Sequence, residues 1–133
     1  MPSILKIFRM IADANRVRVL RLLAREELSV AELQEICSMG QSTISTHLAQ
    51  LKQAGLVEDR RTGKNVLYHW KAGAPPALLA LLDEAAAEIP ECGRDLEALG
   101  LALDKRRDRM RAYFDALAGR FGREYYVGDQ QLC

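Results

Sequence analysis

Apolar positions recur at intervals of three and four from the first residues of the chain. Ile4, Phe8 and Ile11 share one helical face. Asp13-Ala14-Asn15 breaks the pattern, and Asp13 or Asn15 can cap the helix that follows. Val17, Leu20, Leu23 and Ala24 stripe that helix, with Arg16, Arg18, Arg21 and Arg25 around the stripe, and Glu26-Glu27-Leu28 closes it. Ser29 with Glu32 three residues later is a capping-box pattern, so a short helix with Val30, Leu33 and Ile36 inward is predicted. Cys37-Ser38-Met39-Gly40 reads as a tight connector in which Gly40 is free to take positive φ. Another helix follows over residues 41–54, with Ile44, Leu48 and Leu51 inward and Gly55 at the left-handed position after its end.

Two β-prone runs, residues 56–61 and 65–70, flank Thr62-Gly63-Lys64 and predict a hairpin. Pro75-Pro76 opens a further helix striped by Leu78, Leu81, Leu82, Ala85 and Ile89 and closed by Pro90. From residue 94 to about 122 the spacing of Leu96, Leu99, Leu103, Met110, Phe114, Leu117 and Phe121 predicts one long helix. Arg106 or Arg107 falls where one apolar residue is missing from it. After Arg123 the sequence loses the period, and residues 127–133 read as a frayed end. The expected fold is mostly α with a small β-hairpin, a winged helix-turn-helix that is dimeric and carries an extra long C-terminal helix. Residues 1–91 form the expected DNA-binding and dimerisation domain, and residues 92–133 a helical extension and tail.

The helix over residues 41–54 carries the functional reading. Its outer surface holds Gln41, Ser42, Thr43, Ser45, Thr46, His47 and Gln50, and no acid follows until Glu58. Solvated helices usually mix Glu and Lys, whereas short polar side chains are poorer helix formers and need another reason to be there. Hydrogen bonds to base edges and phosphates in a major groove supply one. In the hairpin Arg60, Arg61, Lys64 and Asn65 gather at the tip, where a wing needs cations to follow the backbone or enter the minor groove. Arg16 joins them as a candidate phosphate contact.

Residues 9–70 resemble the ArsR/SmtB family of small metal- and stress-responsive repressors. The resemblance is carried by Ile11-Ala12-Asp13-Ala14-Asn15-Arg16-Val17-Arg18-Val19-Leu20, by Glu27-Leu28-Ser29-Val30-Ala31-Glu32-Leu33 and by Gln41-Ser42-Thr43-Ile44-Ser45-Thr46-His47-Leu48. Leu51-Lys52-Gln53-Ala54-Gly55-Leu56-Val57-Glu58-Asp59-Arg60-Arg61-Thr62-Gly63-Lys64 completes it. It implies an obligate homodimer built on the first helix and the helix after the wing. It also implies an inverted-repeat operator in double-stranded DNA, released when an inducer binds. The Ile4/Phe8/Ile11 and Leu78/Leu81/Leu82/Ile89 stripes agree, being more apolar surface than so small a domain needs for itself.

The family's thiolate sensor, Cys-Val-Cys on the helix opening the helix-turn-helix, is replaced here by Ser29-Val30-Ala31. Its zinc pattern of Asp and His pairs on the interface helix is also missing, since Asp83, Glu84 and Glu88 stand there without a His. The candidate sensor is therefore among Cys37, Cys92 and Cys133. Cys37 reads as a small buried hydrophobe. Cys92, after Pro90 at the exposed end of the interface helix, is the better candidate, with Cys133 as a mobile partner. As(III) bound by thiolates, or a dithiol redox step, is the expected inducer chemistry.

Composition changes this picture little. Net charge is +1, yet residues 1–71 hold eleven Lys and Arg against seven acids, and residues 72–133 eight against eleven, so the basic half coincides with the expected DNA contact. No apolar run approaches the roughly 18 residues of a membrane span. The start carries no leader pattern, and three widely spaced cysteines make no disulfide framework, so a cytoplasmic protein without a membrane partner is expected. No nucleophile–base arrangement, phosphate loop or HExxH motif argues for an enzyme. An alternative remains for the tail. Asp104-Lys105-Arg106-Arg107-Asp108-Arg109-Met110 and Tyr113-Phe114-Asp115-Ala116-Leu117-Ala118 resemble the linker of repressor–methyltransferase fusions, which implies a DNA-binding regulatory domain answering to a metabolite or partner protein.

Overall fold

The computed structural model describes the backbone of residues 3–129 and the side chains of residues 3–119. In chain order the elements are α1 (Ile4–Met10), α2 (Ala14–Arg25), β1 (Leu28–Ser29), α3 (Val30–Cys37), α4 (Gln41–Gln53), β2 (Val57–Thr62), β3 (Asn65–Trp70), α5 (Ala77–Ala86) and α6 (Glu91–Asp129). They fall into two compact units, Met1–Leu99 and Gly100–Cys133. The long helix starts three residues earlier than the apolar period alone predicts. Among the described residues, no helix is long and apolar enough to cross a membrane.

The core of the first unit is built around α2, which packs against α3, α4, α5 and β3. Val17, Val19, Leu20, Leu22 and Leu23 of α2, Leu33 and Ile36 of α3, and Ile44, Leu48 and Leu51 of α4 are all buried. Local chemistry sets the ends of these helices. The Asp13 carboxylate accepts from the backbone N–H groups of Asn15 (2.9 Å) and Arg16 (3.1 Å) and starts α2. Ser29 and Glu32 complete both arms of a capping box on α3.

The connector to α4 differs from the sequence expectation. Ser38 takes the left-handed conformation at φ 55, while Gly40 is extended at φ −69 and caps α4. The positive φ is needed at the residue that ends α3, and that position belongs to a serine. Gly55, at φ 80, ends α4 as expected. Its N–H donates to the Lys52 carbonyl and that of Leu56 to the Leu51 carbonyl, the paired bonds of a Schellman motif.

The expected hairpin is part of a three-stranded antiparallel sheet of order β1-β3-β2. The two residues of β1, too short to leave a sequence signal, pair Leu28 with Tyr68 and Ser29 with Leu67. The register of β2 on β3 runs from Val57 opposite Trp70 to Thr62 opposite Asn65. Thr62 therefore belongs to the ladder, and the turn is Gly63-Lys64 alone, with Gly63 at φ 63.

One polar cluster sits inside this apolar frame. Arg18, on the rim of the α2 stripe by sequence, is only 8% exposed, and Asp95 of α6 only 3%. Arg18 Nε and Nη2 each donate to one Asp95 carboxylate oxygen at 2.8 Å. Nη2 also donates to the Cys37 carbonyl at 3.0 Å, and Nη1 to Asn15 Oδ1 at 3.2 Å. One guanidinium thus ties α2 to α6 and satisfies a carbonyl at the end of α3.

Cys37 is buried beside it. Burial pushes its thiol up to about 12, with the Asp95 charge adding to the shift and Arg18 opposing it. Cys92 is also buried, which corrects the expectation that it lies at an exposed helix end. It falls in the first turn of α6, where burial raises its thiol and the Arg21 guanidinium of α2 works the other way.

Two outcomes follow from the cluster. Asp95→Ala leaves a buried guanidinium without its partner and is expected to lower the unfolding free energy by about 3–5 kcal/mol in urea titrations. Joint replacement by Met at 18 and Leu at 95 is expected to recover most of that loss. The raised Cys37 thiol holds its proton in the folded state up to about 12, against 9.0 ordinarily. Its contribution to stability is whole below the lower value and is lost as pH rises between the two. Wild type is therefore expected to lose more stability than Cys37→Ala between pH 9 and 11, by at most about 1.4 kcal/mol per pH unit.

Candidate nucleic-acid interface

Helix α4 turns Ile44, Leu48 and Leu51 into the core, so its other side is presented outward by the helical period. Gln41, Ser42, Thr43, Ser45 and Thr46 are exposed there, in the first two turns. Gly40 caps the helix without a side-chain acceptor, so no side chain of the cap covers the first-turn N–H groups. The Thr46 hydroxyl donates to the Ser42 carbonyl at 2.8 Å, which leaves its oxygen to accept.

His47 and Gln50 stand apart from these. Both are half-buried and lean toward the start of α2. Burial lowers the His47 pKa, with Asp13 opposing and Arg16 assisting, so the ring is neutral at physiological pH. Its Nδ1 is buried and reaches no hydrogen-bond partner among the described residues. Gln50 Oε1 accepts from Arg16 Nη1 at 3.0 Å. The same guanidinium donates from Nε to the Met10 carbonyl at 2.7 Å and from Nη2 to the Arg9 carbonyl at 3.4 Å.

The wing divides its cations between two tasks. Arg60 makes a bidentate pair with Glu27, at 2.7 Å from Nε and 2.6 Å from Nη2, so it braces β2 against the segment before β1. The Glu27 pair raises the Arg60 pKa further. His69, opposite Glu58 in the ladder, places Nε2 at 3.4 Å from Glu58, and its Nδ1 lies 3.2 Å from Glu27 without hydrogen-bond alignment. Lys52 of α4 pairs with Asp59 of β2 at 2.9 Å and joins the recognition helix to the wing. Arg61, Lys64 and Asn65 are exposed at the tip.

The sequence reading missed the Glu27–Arg60–His69 cluster and the Lys52–Asp59 pair. The hairpin register could have placed His69 opposite Glu58, but nothing local brings Glu27 to the sheet, because β1 is two residues long. The structure gathers Gln41, Ser42, Thr43, Ser45 and Thr46 on one exposed face and ties Arg16 and Gln50 to one another. Of the thiols, Cys37 and Cys92 lie in the core around Arg18 and Asp95, and Cys133 lies outside the described residues. Among the described residues, no group of three or more His, Cys, Asp or Glu side chains could hold a metal ion.

Two apolar faces of the first unit are uncovered. Helix α1 buries Ile7 and exposes Ile4, Leu5 and Phe8, the reverse of a helix that packs its sequence stripe inward. Helix α5 buries Leu78 and Leu82 and exposes Leu79 and Leu81. In the second unit, Leu101, Met110, Tyr113 and Phe114 are exposed along α6, with the two rings edge to face at 5.5 Å.

Known proteins share this arrangement. Residues 13–59, from the cap of α2 into the wing, match the family described as bacterial regulatory protein, arsR family. The chain is 43% identical over 77 residues to the arsenic resistance transcriptional regulator ArsR1 of Pseudomonas putida, covering 57% of this chain and 60% of that protein's length. It is 35% identical over 82 residues to the arsenical resistance operon repressor of Escherichia coli, covering 61% of this chain and 70% of that one. Among solved structures, a homodimeric winged helix-turn-helix DNA-binding domain from Mycobacterium bovis superposes with a TM-score of 0.56 at 32% identity, over 64% of this chain and 79% of that one. The chain therefore belongs to the arsR family of bacterial regulatory proteins.

Proposed function

We propose that this chain is a transcriptional repressor that binds double-stranded DNA as a homodimer on an inverted-repeat operator in the cytoplasm and leaves it when an inducer binds. The observation that carries the reading is the exposed face of α4, where Gln41, Ser42, Thr43 and Ser45 offer uncharged donors and acceptors of the kind that read base edges. Arg61 and Lys64 at the wing tip supply the phosphate or minor-groove contact. A second copy docking on Ile4, Leu5 and Phe8 of α1 and on Leu79 and Leu81 of α5 would cover both apolar faces and set two recognition helices about one DNA turn apart.

The inducer reading rests on the thiols. Soft trivalent arsenic takes deprotonated sulfur, and Cys92, with Cys37 in the same cluster or Cys133 of the tail, is the candidate ligand. Both core thiols are held protonated by burial, so metalloid binding would release protons and disturb the Arg18–Asp95 contact that anchors α3. The likeness to an arsenic resistance transcriptional regulator and to an arsenical resistance operon repressor supports this choice of ion.

A duplex selected by the purified protein from a randomised library serves as the probe, with a scrambled duplex as control. Ser45→Ala is expected to weaken the selected duplex by about 1–3 kcal/mol and to leave the scrambled one unchanged. Lys64→Ala is expected to weaken both alike and to flatten the slope of log K against log salt by about one. Failure to enrich any sequence would overturn the repressor reading. Arsenite is expected to release the selected duplex from wild type and not from Cys92→Ser; equal release from both would remove Cys92 as the sensor.

A further inference from the structure

Arg16 carries five N–H donors and no acceptor, and three of its nitrogens are committed. Nε holds the Met10 carbonyl at 2.7 Å and Nη2 the Arg9 carbonyl at 3.4 Å, at the end of α1, where a cation is favoured. Nη1 holds Gln50 Oε1 at 3.0 Å, on the recognition helix. One guanidinium at the start of α2 thus spans α1 and α4. His47, one turn before Gln50 on α4, packs by its buried edge against the same start of α2.

The orientation of the Gln50 amide follows from chemistry. Arginine only donates, so the amide can meet it only through its oxygen. A glutamine that reads adenine bidentately needs both its oxygen and its nitrogen. Here one lone pair of the oxygen is engaged, so Gln50 keeps its NH2 and a single acceptor site to offer.

We infer that Arg16 is a positioning residue that locks the recognition helix to the end of α1 and fixes the orientation of the Gln50 amide, and that it is not a phosphate-binding cation. The inference rests on the DNA-binding reading above. Because α1 also carries the exposed Ile4, Leu5 and Phe8, the clamp joins the face available to a second copy to the helix that meets DNA.

The test compares wild type, Arg16→Ala, Arg16→Lys, Gln50→Ala and the Arg16→Ala/Gln50→Ala double variant on the selected and scrambled duplexes over a range of salt. Arg16→Ala is expected to lose about tenfold on the selected duplex, with scrambled binding and the salt slope unchanged. Gln50→Ala is expected to cost little more in the Arg16→Ala background, since the two act together. Arg16→Lys is expected not to rescue, because an ammonium cannot span two carbonyls and an amide as the planar fork does. Equal loss on both duplexes with a slope lowered by about one would make Arg16 a phosphate contact and overturn the inference, as would additive losses in the double variant. Should Arg16→Ala fail to fold, Gln50→Ala decides by itself: selective loss on the selected duplex supports the inference, and wild-type affinity there overturns it. Wild type binding no duplex at all would mark failure of the DNA reading itself.

Discussion

The Arg18–Asp95 pair is the constraint around which the first unit is arranged. A guanidinium and a carboxylate out of water cost several kcal/mol each in lost hydration, and only near-ideal geometry offsets that. Two parallel bonds at 2.8 Å, a third to the Cys37 carbonyl and a fourth to Asn15 supply such geometry. Through these bonds one guanidinium joins α2, the end of α3 and the first turns of α6. The turn from α3 into α4 starts at the carbonyl that Arg18 holds, so the angle of the recognition helix depends on a contact far from its own surface.

The charged side chains around α4 belong mostly to the scaffold. Arg16 joins α1 to α4, Lys52 joins α4 to β2, and Arg60 joins β2 to Glu27. A count of cations in the basic half of the chain therefore overstates what is available to phosphates. On the first turns of α4 the exposed groups are short hydroxyl and amide side chains, and at the wing tip they include Arg61 and Lys64. A surface of that kind derives specificity from hydrogen bonds at base edges and takes a modest electrostatic contribution from the wing.

Burial also defines the chemistry of the thiols. Cys37 and Cys92 sit in an apolar setting that favours the protonated, unreactive form, with Arg18 and Arg21 close enough to favour the thiolate once the setting opens. Their state and the Arg18–Asp95 contact are therefore linked through shared neighbours. Any ligand that requires thiolate sulfur there acts on the packing of α3 and α6 at the same time.

Much of the architecture is legible in the sequence because it is decided over short distances. The Asp13 cap, the Ser29/Glu32 box, the glycine after α4 and the Gly63 turn each act within a few residues, and the stripe of Ile44, Leu48 and Leu51 follows from helical period alone. The uncharged face of α4 is its complement, so the candidate reading surface was visible as well. Tertiary structure decided the rest. A periodicity cannot say that Arg18 is inside, that Cys92 is covered, that Arg16 turns back to α1, or that Glu27 meets the sheet, because each depends on a partner distant in sequence. Nor can it apportion a surplus stripe: Ile4 and Phe8 of α1 are left exposed, whereas on α5 Leu78 and Leu82 are buried and Leu81 is exposed. Local rules fix where elements begin, end and turn; only their packing decides which charges are held in place and which remain outside.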